Sequence, residues 1–320
     1  MGVVGIEETL KLVKQYMNHS ITSCVKNTDL KNLLLSFLEK REELPFALIM
    51  IIHHQSFSGK DEEVALLAAA VELLILSFDM LDDLEDLDNV DEPWMKVEHP
   101  VSLNAATSLF TLSQQTVLSL HSPYKLQILE VFMKFSIQAM EGQHVDLKNL
   151  ILTEEECLEV MKNKSGSLIA LASTSGMLLA GANSPAVEEY SYQIGLAAQI
   201  DNDFRDLFNP LKNDVSTQKK TLAYLYLQKK YNDHAIEILK GFQSGKPINE
   251  YFGNSLNFKQ KLIDAGVAQY LNVMKQIAIN KAARMIRQLP IEENQIERLN
   301  THLIIKLNPI NKERWPCKTS

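Results

Sequence analysis

The run VALLAAAVELLILSF, Val64 to Phe78, carries a single charge, Glu72, and leads straight into a crowd of carboxylates. From Asp79 to Glu92, eight of fourteen residues are Asp or Glu. The apolar run has to be shielded from water, and it falls short of the ~20 residues that a membrane span needs. It therefore reads as a buried core helix. The carboxylates that follow repel one another, at a cost to stability unless something neutralises them. A chain with this feature is driven towards a helical core that opens onto an acidic end.

The rest of the chain agrees. Apolar residues recur three and four apart in SLNAATSLFTLSQQTVLSL, in ECLEVMKNKSGSLIALASTSGMLLAGA and in AVEEYSYQIGLAAQIDNDFRDLF, which is the helical period. With 12 Gly and 10 Pro in 320 residues, turn residues are scarce for a sheet protein, and alternating β-branched runs are nearly absent. Pro93, Pro100, Pro123, Pro185, Pro210, Pro247 and Pro290 fall between the periodic segments and predict helix boundaries. Length alone suggests two domains of about 150 residues. No linker, repeat or low-complexity segment divides the chain, so one large all-α domain over residues 1–320 is expected. The stretch GFQSGKPINEYFGNSLNFK, Gly241 to Lys259, reads as a loop.

A net charge of −8 argues against nucleic acid as the main partner, because phosphate binding needs a basic footprint. Cys24, Cys157 and Cys317 show neither a disulfide framework nor zinc spacing, which suits a reducing cytoplasm. The start, MGVVGIEETLKLVK, lacks the basic stretch and apolar core of a signal peptide. The terminal CKTS has Thr319 where a prenylation box needs an aliphatic residue.

Two acidic motifs carry the chemistry. Asp82-Asp83-Leu84-Glu85-Asp86 reads D-D-x-x-D. On a helix Asp82 and Asp86 lie one turn apart and point the same way, while Asp83 points about 100° aside. Two such carboxylates suit a hard divalent cation, magnesium above all, with Asp83 behind them. In QIDNDFRDL, Gln199 to Leu207, Asn202 and Asp206 are again one turn apart, with Asp203 beside them. One such motif is more often a solvated helix face. The pair is more informative, because each lies near the C-terminal end of an apolar helix, where the helix dipole disfavours acids. Facing clusters could hold several magnesium ions around a diphosphate.

With these motifs the chain resembles the trans-isoprenyl diphosphate synthases. D-D-x-x-D stands at Asp82 to Asp86, and Q-I-x-D-D-x-x-D is matched from Gln199 to Asp206 with Asn202 in place of one Asp. G-Q-x-x-D-L is Gly142 to Leu147, and Lys164-Ser165-Gly166 resembles K-T-G. Lys219-Lys220-Thr221-Leu222 resembles G-K-x-T-L without its glycine. Two motifs depart. The G-G-K-x-x-R-P of elongating enzymes has its nearest text in EKREELP, with Lys40, Arg41 and Pro45. Their Arg-Arg pair is replaced by LDNVDEPWMK, where Asp91 and Glu92 would repel a second diphosphate. In this, and in ELLILSFDMLDDLEDLDN followed by WMK and SLNAA, the chain is similar to the ComQ-type isoprenyl transferases.

That resemblance implies an all-α, isoprenoid-synthase-type helical bundle that moves a geranyl or farnesyl group from its diphosphate to a tryptophan of a ComX-like quorum-sensing pheromone precursor. It implies two or three Mg²⁺ held by Asp82, Asp83, Asp86, Asn202, Asp203 and Asp206. Lys164, Lys219 and Arg205 are expected at the diphosphate, with Gln143 and Gln199 binding substrate. Phe78, beside Ser77, would set the depth of the prenyl tunnel, although an ordinary core aromatic is as good a reading. It also implies a cytoplasmic enzyme, peripheral at the membrane at most, and a homodimer. The rivals are a chain-elongating synthase, a terpene cyclase of the same fold and a catalytically silent binding subunit. Glu72 reads equally as a support for the site or as a satisfied buried acid. His53, His54, Trp94 and Trp315 read as structural, Lys229-Lys230 as a solvated face, and His144 as a polar group near the site.

Overall fold

The computed structural model describes residues 5–60, 62–207 and 219–305. Among them there is no strand. The first half contains α1 (Ile6–Cys24), α2 (Thr28–Glu39), α3 (Pro45–Ser56), α4 (Val64–Asp86), α5 (His99–Leu118), α6 (Lys125–Lys148) and α7 (Glu154–Met161). It continues with α8 (Ser167–Leu179), α9 (Pro185–Leu207), α10 (Leu222–Gln228), α11 (Asp233–Gln243), α12 (Ile248–Tyr251), α13 (Ser255–Asp264), α14 (Val267–Arg287) and α15 (Glu293–Leu299). Pro93, Pro100 and Pro185 open helical segments, as their missing N–H and fixed φ allow. Pro210 and the tail with Trp315 and Cys317 lie outside the described residues.

The apolar run forms α4 and is wrapped by α1, α3, α5 and α8. It is the one described helix long and apolar enough to cross a membrane, and 72% of that stretch is buried inside the protein. Buried on nearly all sides, α4 needs no polar stripe, which accounts for its near-uniform apolar sequence. Its end is abrupt. Leu87 takes a left-handed backbone, φ +54°, and returns its N–H to the Asp83 carbonyl. Asn89 is also left-handed, φ +48°. The acidic residues are thereby delivered at one end of the bundle rather than carried on along the helix.

Gly241 to Lys259 is not a loop throughout. It holds the end of α11, all of α12 and the start of α13. The Asn254 side chain accepts from the Asn257 N–H and caps α13, satisfying one orphan donor. Phe242, Phe252 and Phe258 pack ring against ring there. Short helices pinned by clustered aromatics and caps leave little periodic trace, so the Gly and Pro signals dominate the text.

Candidate active site

A cavity of about 820 Å³ opens between the ends of α4, α6 and α9. The α4 wall presents Asp82, Glu85 and Asp86, and the α9 wall presents Gln199, Asn202, Asp203 and Asp206. Side chains 113 positions or more apart in sequence, from Asp86 to Gln199 at the least, thus face one space, as their motifs predict. Lys164, Lys219, Gln143, His144 and Phe78 also line it.

Two lysines neutralise the α4 wall. Lys164 Nζ lies 2.7 Å from Asp82 Oδ1 and 3.1 Å from Asp146 Oδ2. Lys219 Nζ lies 3.1 Å from Asp86 and 3.0 Å from Asp146. Asp146, from the G-Q-x-x-D-L motif, is therefore the hinge between both cations, a role its sequence position does not announce. Burial would raise its pKa, but Lys164 and Lys219 outweigh that and hold its carboxyl below the ordinary value. Burial would lower the Lys164 pKa, but Asp82 and Asp146 hold it above the ordinary value. The Lys164 ammonium therefore stays charged at neutral pH.

The backbone that carries Lys164 is unusual. Lys162–Gly166 is a single π-helical turn between α7 and α8, a distortion common at functional sites. It is wedged between two glycines. A Cβ on Gly142 of α6 would stand 2.5 Å from the Lys164 nitrogen, and one on Gly195 of α9 would strike Gly166. Only glycine lets these helices close on the turn. From the turn, Ser165 Oγ donates to Gln199 Oε1 at 2.5 Å, and Gln199 Nε2 donates to Asp203 Oδ1 at 2.8 Å. Asp201, on the far side of α9, pairs with the mostly buried Lys275 of α14 at 2.6 Å. These contacts fix the face that α9 turns to the cavity.

Two expected residues, Asp83 and Arg205, sit off the main cavity, and a third, Gln143, is engaged within it. Asp83 is buried and accepts from Trp94 Nε1 at 2.8 Å and Asn89 Nδ2 at 2.6 Å. Burial lifts its pKa to about 6. It braces the turn after α4 and does not line the main cavity. Arg205 also lies off that lining, largely exposed, donating to Asn202 Oδ1 and paired with Asp201. Gln143 lines the cavity but gives its amide to Glu85 Oε2 at 3.1 Å. Glu72 is a satisfied buried acid, accepting from Arg41 Nε at 3.0 Å and the Ala47 N–H at 2.7 Å.

The remaining features are structural. His53 and His54 are buried, with His53 Nδ1 2.7 Å from the Ile49 carbonyl. Burial pushes the His53 pKa down to about 4. Ser77 donates to the Ala106 carbonyl. Phe78 packs edge-on against Phe110 and reaches the cavity with Phe46, Leu81, Leu168 and Ile169. That end is apolar. Lys229 and Lys230 are exposed.

The inward donors Asp82, Asp86, Asn202, Asp203 and Asp206 offer oxygen alone, which matches a hard divalent cation rather than zinc or copper. Among the described residues no three His, Cys, Asp or Glu side chains are gathered closely enough to enclose a metal ion by themselves. An ion here would complete its shell with waters or ligand oxygens.

The polyprenyl synthetase family model matches residues 44–250. The tryptophan prenyltransferase ComQ of Bacillus subtilis strain 168 is 40% identical, over 95% of this chain and 100% of its own. That of Bacillus spizizenii is 35% identical, over 86% of this chain and 99% of its own. Among solved structures, the Caulobacter crescentus CB15 polyprenyl synthase complexed with calcium and isoprenyl diphosphate superposes with a TM-score of 0.81. It is 18% identical and covers 94% of each chain, so it shows the fold alone. The fold, the two acidic walls and the full-length likeness agree: the chain belongs to the polyprenyl synthetase family, in its ComQ-type branch.

Proposed function

We propose that this enzyme transfers a short allylic prenyl group, geranyl or farnesyl, from its diphosphate to a tryptophan of a ComX-like pheromone precursor. One observation carries the reading. A single cavity joins an end lined by lysines and carboxylates to an apolar end lined by Phe46, Phe78, Leu81, Leu168 and Ile169, the two halves of a prenyl diphosphate. The names of the full-length relatives support tryptophan as the acceptor.

Asp82 and Asp86 would hold magnesium from one wall, and Asn202, Asp203 and Asp206 from the other, with two or three ions expected. Bound magnesium would offset the carboxylates and stabilise charge on the departing diphosphate. Lys164 and Lys219 then turn from Asp82, Asp86 and Asp146 towards diphosphate oxygens and stabilise the same charge. The allylic C–O bond breaks with its electron pair leaving on diphosphate. An indole carbon supplies the pair for the new C–C bond, and the backbone nitrogen closes the ring. The proton lost from that nitrogen passes to diphosphate or water. The apolar walls keep water from the allylic carbon, and Phe78 limits the length of chain that fits.

We also propose a homodimer. Leu126, Met133 and Ile137 are all exposed on α6, stand outside the cavity lining and recur at seven- and four-residue steps, as a helix seam does.

The test is mass spectrometry of the products formed with magnesium and geranyl or farnesyl diphosphate. One reaction contains a tryptophan-bearing ComX-like peptide and the other isopentenyl diphosphate. A prenyl-sized gain on the peptide tryptophan is expected. An elongated diphosphate beside an unmodified peptide makes the enzyme a chain-elongating synthase instead.

A further inference from the structure

The π turn Lys162–Gly166 sets the direction of Lys164. The Ser167 N–H reaches back to the carbonyl of Lys162, five residues earlier, so the turn takes in one residue more than an α-helical one. Were it to relax to an α turn, the segments on its two sides would rotate by about 100° relative to each other. Lys164 would then swing off the cavity wall. The side chains of Lys164 and Ser165 are turned to the cavity, which both line. Asn163 lies off that lining and meets α6 instead.

α6 grips the turn along one face. Gln138, Gly142 and Asp146 follow one another at four-residue steps, so they stack along one side of the helix. Gln138 Nε2 donates to Asn163 Oδ1 at 2.9 Å. Gly142 lets the backbones touch, since an added Cβ would stand 2.5 Å from the Lys164 nitrogen and 2.8 Å from the Asn163 carbonyl carbon. Asp146 accepts from Lys164 Nζ at 3.1 Å. That last contact is given up when Lys164 turns to a diphosphate. The Gln138–Asn163 bond takes no part in the exchange and stays.

Gln138 is itself fixed from α9. Tyr192 Oη lies 3.0 Å from Gln138 Oε1 and 2.8 Å from Glu188 Oε1, and Glu188 pairs with Lys134 of α6 at 2.7 Å. The phenol has one proton for two acceptors. Reversing the amides of Gln138 and Asn163 lets Tyr192 donate to Glu188 and accept from Gln138, while Asn163 donates to Gln138, so the chain closes in either sense. Lys162 Nζ lies over the Tyr192 ring, 5.0 Å from its centroid. α6, the turn and α9 are thus clamped together by side chains that stand outside the cavity lining.

We infer that Gln138 is a positioning residue, which through Asn163 keeps the π turn in register and so aims Lys164 at the diphosphate. This rests on the role proposed for Lys164. Because Gln138 acts through Lys164, its loss is felt only where Lys164 is present.

The test is a double-mutant cycle in the full-length enzyme. It is read by kcat with the tryptophan peptide and, independently of any acceptor, by the Kd for inorganic diphosphate with magnesium in calorimetry. Gln138→Met should lower kcat and raise that Kd, each by about tenfold. In a Lys164→Ala background the same substitution should change either by less than about twofold. Equal losses in both backgrounds would make Gln138 a packing contact and overturn the inference. Asn163→Leu breaks the bond from its other end and should repeat both results; unaltered kcat and Kd in that variant would also overturn it. If Lys164→Ala itself spares kcat and diphosphate affinity, the role of Lys164 falls and the positioning role with it. If Lys164→Ala is impaired and Gln138→Met acts independently of it, only this inference falls. If no peptide is prenylated, the tryptophan-transfer reading falls, and the cycle in Kd still decides the role of Gln138.

Discussion

Helices α4 and α9 are both 23 residues long and both end in an aspartate motif, yet they are built in opposite ways. α4 is buried on nearly every side, and its acids emerge only in the last two turns. They are neutralised from outside, by Lys164 and Lys219 on other segments. α9 is amphipathic and is clamped laterally, by Ser165 through Gln199 on one side and by Lys275 through Asp201 on the other. The first motif is thus a charged end needing counter-ions, and the second is an oriented face needing a grip. One should be sensitive to charge and the other to packing.

The largest test of that contrast is on turnover. Asp82→Ala or Asp86→Ala should cost about 1,000-fold with helicity unchanged by circular dichroism, and Asp206→Ala about 100-fold. Equal losses would break the asymmetry, and unchanged turnover would sink the metal assignment. Lys164→Ala should cost about 100-fold in kcat. Without metal it should also destabilise the fold by about 2 kcal/mol, since Asp82 and Asp146 lose a shared counter-ion. Magnesium with diphosphate should restore the Tm; a Tm indifferent to both would show that the lysines do not act as counter-ions.

Packing should dominate around α9. Gly142→Ala forces the π turn away from α6 and should cost about 1–3 kcal/mol, with a fall in kcat that magnesium does not rescue. A variant as stable and active as the parent would remove the wedge from the account. The last test leaves turnover aside and reads a pH response of stability. Tyr190 of α9 stacks on His53 at 5.8 Å, and His53 is held neutral, with its pKa lowered from 6.5 to about 4 by burial. The unfolded chain takes up that proton first. The contribution is therefore fully present above pH 6.5 and is lost as pH falls towards about 4. The loss should reach about 3 kcal/mol, and it should quicken amide exchange in α9 before α4. His53→Leu should flatten the profile, and a profile unaltered by it would assign the dependence to another group.

The helical class was legible because α4, α5, α8 and α9 carry long periodic runs. The two acidic motifs were legible because one-turn spacing on a helix places side chains on one face. Asp83 was not placed correctly by its motif, since its direction was readable but its partners, Trp94 and Asn89, were not. Nor did the text reveal that Arg41 would be spent on Glu72 and Asp79, or that Asp146 would bridge two lysines. The α12–α13 region was missed because caps and ring contacts, rather than periodicity, hold it.

By itself the sequence determined the helical class, the buried path of Val64 to Phe78 and the two carboxylate faces, all of which follow from contacts within a few residues. Tertiary structure decided which cation meets which carboxylate and which acid turns inward. Those outcomes depend on groups tens to more than a hundred positions apart, Lys219 with Asp86 and Arg41 with Glu72 among them. Local spacing sets the direction of a side chain, but only the packed neighbours set its partner and its charge.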